Sequence, residues 1–328
     1  MISKLNPTFI ALTGPTTSGK TQLSCALARI LEVEIISMDS RQVYKGMDIG
    51  TDKVPDDVRE QVPHHALDLV HPDERYSAGQ FARDARDWIK EIIKRDRVPV
   101  LAGGTGFFLK AITEPVFSEP PLDSARLKKI RRYLSALDYR VLAKWVEKLD
   151  PVRASLAIDG GPQRMSRTIE VALLTGKPLS SWHRESPSDV AALTGLIIQL
   201  ELPREEIDRR INDRVTYMVE RGLVSEVRSL LEAGYTFDDP GMTATGYREI
   251  AHYLEGGQTL EEAMEEIRRN TRRYARRQLT WFRNQLPPSV CMIDATASID
   301  VQATAVLDTW IEIREQAGLQ IHRVEPSL

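Results

Sequence analysis

The chain has 328 residues, a formal net charge of −3, 42% hydrophobic and 28% charged residues, the profile of a globular protein of about two domains. That charge excludes a uniformly basic nucleic-acid coat, and the only two cysteines, Cys25 and Cys291, exclude a disulfide framework or a C-x-x-C zinc cage. Met1 to Thr8 lacks the apolar stretch of a secretion signal and no run approaches the ~20 apolar residues of a membrane span, so a cytoplasmic protein is expected.

Phe9 to Leu12 reads as an apolar strand and Gln22 to Leu31 as a helix. Between them Gly14-Pro15-Thr16-Thr17-Ser18-Gly19-Lys20-Thr21 completes a G-x-x-x-x-G-K-[ST] phosphate loop. Such a loop turns backbone N–H groups inward, adds the partial positive charge of a helix N-terminus, sends Lys20 to the terminal phosphates and offers the Thr21 hydroxyl to Mg²⁺. Taken alone, it leaves open whether the guest is ATP or another diphosphate. Glu34 to Met38 is a second strand ending at Asp39, and ligands of open α/β sheets bind beyond the carboxyl ends of strands, which puts Asp39 beside the loop. Two roles fit Asp39: holding Mg²⁺ through water, or acting as general base on an acceptor group.

His64, His65 and His71 follow with Asp68 among them, but His-His-x₅-His contains no helical i, i+4 ligand pair, and Pro63 and Pro72 break the segment; a loop with a short strand is expected. Ser77 to Lys94 has helical spacing at Phe81, Ala85, Trp88, Ile89, Ile92 and Ile93. Val98 to Ala102 is a third strand, ending in Gly103-Gly104-Thr105-Gly106. There the glycines permit close approach to a ligand and Thr105 supplies a hydroxyl on the rim of Asp39.

From the proline-rich connector at Glu114 to Leu122 the texture turns helical and charged, with Asp123 to Asp150 one amphipathic stretch. An inserted helical domain is expected over 115–193, its helices reaching about 185, between core segments 1–114 and 194–328. Within it Gly160 to Arg167 opens a helix that carries Arg164 and Arg167 on one face, aimed at phosphate or RNA backbone, or simply solvated. Thr194 to Leu202 returns to the sheet, Pro203 starts a helical pair running to Ala233, and Gly246-Tyr247-Arg248-Glu249 precedes another helix. In Ile267 to Arg283, helical projection puts Arg268, Arg269, Arg272, Arg273, Arg276 and Arg277 on one half and Ile267, Tyr274, Ala275, Leu279, Trp281 and Phe282 on the other. No acidic residue interrupts the stretch, so a phosphate-binding face is expected rather than a salt-bridged one. Ser289 to Ile293 is a last strand and Asp300 to Gln316 a closing helix. The fold class is α/β: a P-loop NTPase-like parallel sheet core flanked by helices, with an inserted all-helical subdomain.

The chain resembles the IPP transferase family of tRNA dimethylallyltransferases. The resemblance runs through Gly14 to Thr21, Asp39 to Thr51, Pro63-His64-His65, Gly103-Gly104-Thr105, Gln163-Arg164-Met165-Ser166-Arg167, Gly246-Tyr247-Arg248-Glu249 and Arg276-Arg277-Gln278-Leu279-Thr280-Trp281. It departs at Thr17, where the family often has Ala, at Arg41 and Gly161, where apolar and acidic residues are common, and at Thr245, where Ile or Val is usual. The resemblance implies that the loop holds dimethylallyl diphosphate rather than ATP, with Mg²⁺ near Thr21. It also implies that Asp39 takes the N6 proton of the adenosine 3′ to the anticodon, that Lys20 and Arg126 stabilise the leaving diphosphate, and that Thr105 orients Asp39 or the adenine. The tRNA anticodon stem-loop would be held by Asp39, Ser40, Arg41, Gln42, Gln163, Arg164, Met165, Ser166, Arg167, Gly246, Tyr247, Arg248, Arg272, Arg273, Arg276, Arg277, Gln278, Trp281 and Arg283. A monomer without a membrane partner is expected. The alternatives are a P-loop small-molecule kinase, a prenyltransferase acting on free adenine nucleotides, and a nonenzymatic RNA-binding module.

Overall fold

Strands that are apolar on both faces favour parallel pairing with helical crossovers. The computed structural model, which describes residues 6–114, 122–185 and 192–318, follows that rule. β1 (Phe9–Thr13), β2 (Val33–Ser37), β3 (His64–His65), β4 (Val98–Ala102), β5 (Gly195–Glu201) and β6 (Cys291–Asp294) form one parallel sheet in the order β3-β2-β4-β1-β5-β6. β1 lies centrally, Ile10 beside Val100 on one side and Leu196 on the other. Its Phe9, Ile10, Ala11 and Leu12 are fully buried. Each large apolar side chain of that kind contributes roughly 1.5–3 kcal/mol.

The chain divides into two compact units, residues 1–114 with 192–328, and residues 115–191. In the first unit the sheet carries α1 (Lys20–Leu27), α2 (Asp56–Gln61), α3 (Ala78–Lys94) and α4 (Gly106–Thr113). α1 starts two residues earlier than the periodicity indicates, because Gly19, left-handed at φ 90°, passes the chain straight from the loop into the helix. The second unit holds α5 (Ser124–Ser135), α6 (Tyr139–Leu149), α7 (Ala154–Asp159), α8 (Pro162–Thr175) and α9 (Leu179–Glu185) around Leu134, Leu142, Val146, Ala157, Met165 and Ile169. The helical stretch expected over 123–150 comprises α5 and α6, divided where the Asp138 carboxylate accepts the Arg140 N–H and caps α6 afresh. Most of the proline-rich connector lies outside the described residues.

The first unit continues with α10 (Arg204–Glu220), α11 (Leu223–Glu232), α12 (Tyr247–Leu254), α13 (Leu260–Gln285) and α14 (Ile299–Gln316). Among the described residues, α3 and α4 bury Phe81 against Phe108, ring centroids 4.1 Å apart, and two further apolar cores bear on the site. One joins the sheet to α1 and α14 through Ile10, Leu12, Leu27, Ile198 and Trp310; the other joins α10–α13 to the segment after β2 through Val43, Met47, Ile211, Tyr247, Ile250 and Ala275. Gly246 caps α12 and Tyr247 is its first residue, so this block opens the helix rather than preceding it. Among the described residues no helix is long and apolar enough to cross a membrane.

The histidine segment closes the sheet edge. His64 and His65 pair with Ile35 and Ile36, and His65 stacks on Trp88 with ring centroids 5.8 Å apart. Its Nε2 lies 2.8 Å from the Glu34 carboxylate, which is 3% exposed and also accepts two bonds from Arg95 at 2.8 and 2.7 Å. Among the described residues no group of three or more His, Cys, Asp or Glu is placed to hold a metal ion.

Candidate active site

The phosphate loop leaves β1 at Gly14 and bends through three residues of positive φ: Gly14 (141°), Thr17 (66°) and Gly19 (90°). Thr17 holds this conformation although it carries a β-branched side chain, a local strain of about 1–3 kcal/mol of the kind that collects at functional sites. Lys20, the first residue of α1, extends back across the loop and donates to the Gly14 and Pro15 carbonyls at 3.1 and 2.7 Å and to Ser18 Oγ at 3.3 Å. Desolvation lowers its pKa from 10.5 to about 7; Asp39 opposes that shift and Arg214 adds to it. The Thr21 hydroxyl, on exposed surface, makes no hydrogen bond among the described residues.

The second half of the site comes from the carboxyl ends of β2 and β4. Met38 N–H bonds the Ala102 carbonyl at 2.9 Å and Gly103 N–H the Leu12 carbonyl at 3.1 Å, so the segments after β2, β4 and β1 leave the sheet side by side. Asp39 Oδ1 accepts the Arg41 N–H at 2.8 Å, a turn-capping bond, and among the described residues no hydrogen bond reaches Oδ2. Thr105 Oγ1 accepts the Ser40 N–H at 3.1 Å, pinning the residue after Asp39. The Tyr274 hydroxyl from α13 lies in hydrogen-bond reach of Thr105; burial first and then the charge of Asp39 push its pKa up to about 12. Lys20, Asp39 and Thr105 thus meet at one rim. Arg126 lies in the second unit, exposed on the first turn of α5, its backbone N–H donating to Asp123.

Three contributors carry no motif. Arg214 of α10 donates to Thr16 Oγ1 at 2.8 Å and Arg210, one turn earlier, to the Thr17 carbonyl at 3.3 Å, so α10 sets two guanidinium groups against the loop. Tyr274 is the third. The only sequence sign for the arginines is an i, i+4 pair on a helix with no fixed neighbours, and for Tyr274 a hydroxyl on an otherwise apolar face.

α13 meets the rim with one face. Gln278, 5% exposed, accepts the Thr16 N–H at 2.8 Å and donates to the Gly104 carbonyl at 2.9 Å. A Cβ on Gly104 would come within 2.2 Å of the Gln278 amide nitrogen, and one on Gly106 within 2.3 Å of the Trp281 ring. Two of the rim glycines, Gly104 and Gly106, therefore make room for α13, while Gly103 lies against the Met38 backbone. Trp281, half-buried, also lies against Phe107 with centroids 5.9 Å apart.

The other face holds the arginines, and here the expectation of a face free of salt bridges is corrected. Arg268 pairs with Glu265 at 2.7 Å and Arg269 with Glu266 at 3.5 Å, acids one turn upstream on the same helix; Arg272 lies 3.9 Å from Asp208 and bonds Asn212 across to α10. Arg273, Arg276, Arg277 and Arg283 are exposed. Arg273 and Arg277 line an open cavity of about 710 Å³ with Arg248, Phe237, His252 and Asn270.

Five residues expected to touch RNA are turned inward. Met165 is fully buried in the core of the second unit. Tyr247 is fully buried, its hydroxyl donating to Glu226 at 2.7 Å, and Gly246 is buried as the α12 cap. Gln278 spends both ends of its amide as described, and Gln42 spends its own on Ser37 and on the Thr51 and Asp52 carbonyls. The motif blocks mix core and surface residues, which linear spacing does not separate. Gln163 and Arg164 remain exposed and Ser166 half-buried, while Arg167 lies 3.7 Å from Glu170. Arg41 bonds the Pro240 carbonyl at 2.8 Å and Thr243 at 3.3 Å, and Ser40 sits against Thr105. Glu226 binds the segment after Asp39: its carboxylate accepts the N–H groups of Asp48, Ile49 and Gly50 at 2.9, 2.7 and 3.1 Å.

Residues 42–285 match the family model described as IPP transferase. A tRNA dimethylallyltransferase of Geobacillus thermodenitrificans is 43% identical over 280 residues, covering 85% of this chain and 88% of that protein. A tRNA delta(2)-isopentenylpyrophosphate transferase from Staphylococcus epidermidis has a solved structure that superposes with a TM-score of 0.66 at 34% identity, covering 94% of this chain and 99% of that one. A eukaryotic dimethylallyltransferase, solved in the course of acting on tRNA, superposes with a TM-score of 0.76 at 28% identity over 95% of this chain and 80% of that one. The chain belongs to the IPP transferase family.

Proposed function

We propose that this protein transfers the dimethylallyl group of dimethylallyl diphosphate to N6 of the adenosine 3′ to the anticodon of tRNA, releasing diphosphate, and that it works as a cytoplasmic monomer. The observation that carries the reading is the meeting of a phosphate loop and a rim carboxylate under a single helix, α13, whose opposite face presents exposed arginines. A small-molecule kinase has no use for the last of these.

In the proposed reaction the allylic carbon–oxygen bond of the donor breaks, a bond forms from that carbon to N6, and the N6 proton passes to the free Oδ2 of Asp39. The N6 lone pair is delocalised into the purine ring, so removing its proton during attack contributes on the order of 10²–10⁴-fold. Lys20, the loop amides and Arg214 meet the charge that develops on the departing diphosphate. The Thr21 hydroxyl, which is exposed and unengaged among the described residues, is an oxygen donor that fits Mg²⁺, an ion commonly held by few protein oxygens together with substrate phosphates. When bound there, Mg²⁺ supplies further charge neutralisation to the leaving diphosphate. Thr105 and Tyr274 hold the carboxylate segment in place. Flipping the target base out of its stack costs a few kcal/mol, which contacts to exposed arginines offset.

The test is incubation with radiolabelled dimethylallyl diphosphate and either unmodified tRNA or AMP. Label on tRNA is the expected result; label on AMP alone, or on neither, overturns the reading.

A further inference from the structure

Charge singles out the arginines of α13, but the residue that bonds both the loop and the rim is uncharged. Tyr274, Gln278 and Trp281 stand at i, i+4 and i+7, one face of the helix, and each meets a different residue of the β4 rim: Thr105, Gly104 and Gly106. Gln278 alone also crosses to the phosphate loop. Its Oε1 accepts the Thr16 N–H at 2.8 Å and its Nε2 donates to the Gly104 carbonyl at 2.9 Å, in a position 5% exposed. Thr16 is held on its other side by Arg214 at its hydroxyl, so the first half of the loop is fixed between α10 and α13.

We propose that Gln278 is a positioning residue that sets the spacing between the two halves of the site, the loop that grips the donor and the rim that carries Asp39 and Thr105. The inference rests on the prenyl-transfer reading above. Donor carbon and acceptor nitrogen must approach to near contact. A clamp between the loop at Thr16 and the segment one residue before Thr105 controls that distance directly, and a misplacement of about 1 Å costs on the order of 10²-fold in rate. Glutamine suits this role because an amide both accepts and donates in one plane, which neither a carboxylate nor a thioether does. The close approach at Gly104 is the matching adaptation, since any Cβ there would push the amide nitrogen away.

Gln278→Met keeps the volume and removes both hydrogen bonds; Gly104→Ala displaces the same amide without changing it. Each variant is to be measured for single-turnover prenyl transfer at saturating donor, for tRNA affinity by filter binding, and for melting temperature. The expected result is a rate lower by about 30–100-fold in each variant with tRNA affinity within about twofold of wild type, and a double variant no slower than the worse single one, because both break one clamp. Gln278→Glu, which keeps the acceptor for Thr16 and loses the donor to Gly104, should fall between Gln278→Met and wild type. An unchanged rate in Gln278→Met overturns the inference, as does loss of tRNA affinity in step with the rate, or multiplication of the two losses in the double variant. Failure of the wild-type protein to label tRNA sinks the prenyl-transfer reading instead, so the two failures are distinct.

Discussion

The two faces of α13 divide between them what charge patterning alone assigns to one. The outer face has the charge, and its arginines separate into Arg268, Arg269 and Arg272, paired with Glu265, Glu266 and Asp208, and the exposed Arg273, Arg276 and Arg277. The inner face has one hydroxyl, one amide and one indole, and all three contact the rim beside Asp39. On the proposed reading, α13 serves affinity through its exposed groups and rate through its buried ones.

The sharpest way to break that division is at the rim itself. Asp39→Asn should lower single-turnover transfer by about 10³-fold while leaving tRNA affinity within about twofold, checked by rapid quench and filter binding. Wild-type turnover in the variant would remove Asp39 as the base. On the outer face, changing Arg273, Arg276 and Arg277 together to Gln should weaken tRNA binding by about 10–100-fold and flatten its dependence on salt, with little change in rate at saturating RNA. Changing Arg268, Arg269 and Arg272 should do less, because their charges are already partly neutralised; equal effects of the two triples would erase the distinction between paired and exposed arginines. Tyr274→Phe should slow transfer by about 3–10-fold, since it removes the hydroxyl beside Thr105 and leaves the ring in place.

The smallest effect is a proton count. With its pKa lowered to about 7, Lys20 is largely neutral at pH 8 in the free protein, and phosphate charge beside it raises that pKa. Diphosphate binding at pH 8 should therefore take up as much as about one proton, an uptake that fades below pH 7 where Lys20 is already charged. Calorimetry in buffers of different ionisation enthalpy measures it, and no buffer dependence at pH 8 would mean that Lys20 stays charged throughout.

Much of this architecture is legible in the residues themselves. The apolar runs of β1, β2, β4 and β5 mark their positions within a residue or two, and Gly14 to Thr21 with Asp39 two residues past β2 locate the centre of the site. What is not legible has physical causes. Periodicity tells which face of a helix is covered but not by what, so Tyr274 reads as packing and Gln278 as an RNA contact. Arg214 meets Thr16 across 198 residues of chain, a pairing no local pattern encodes. Met165 and Tyr247 lie in motif blocks yet are core, because a motif records every residue the fold needs, including those that only fill space. Gly103 and Gly104 read as room for a ligand, and nothing in the sequence shows that Gly104 and Gly106 also make room for a helix.

The carboxylate of Glu226 has a consequence for dynamics. The N–H groups of Asp48, Ile49 and Gly50 belong to no strand or helix, yet all three end on that one side chain, which Tyr247 steadies from the core. In hydrogen–deuterium exchange these amides should open with the core helices rather than with the surface turns, making a stretch without regular structure part of the slowest-exchanging unit of the protein.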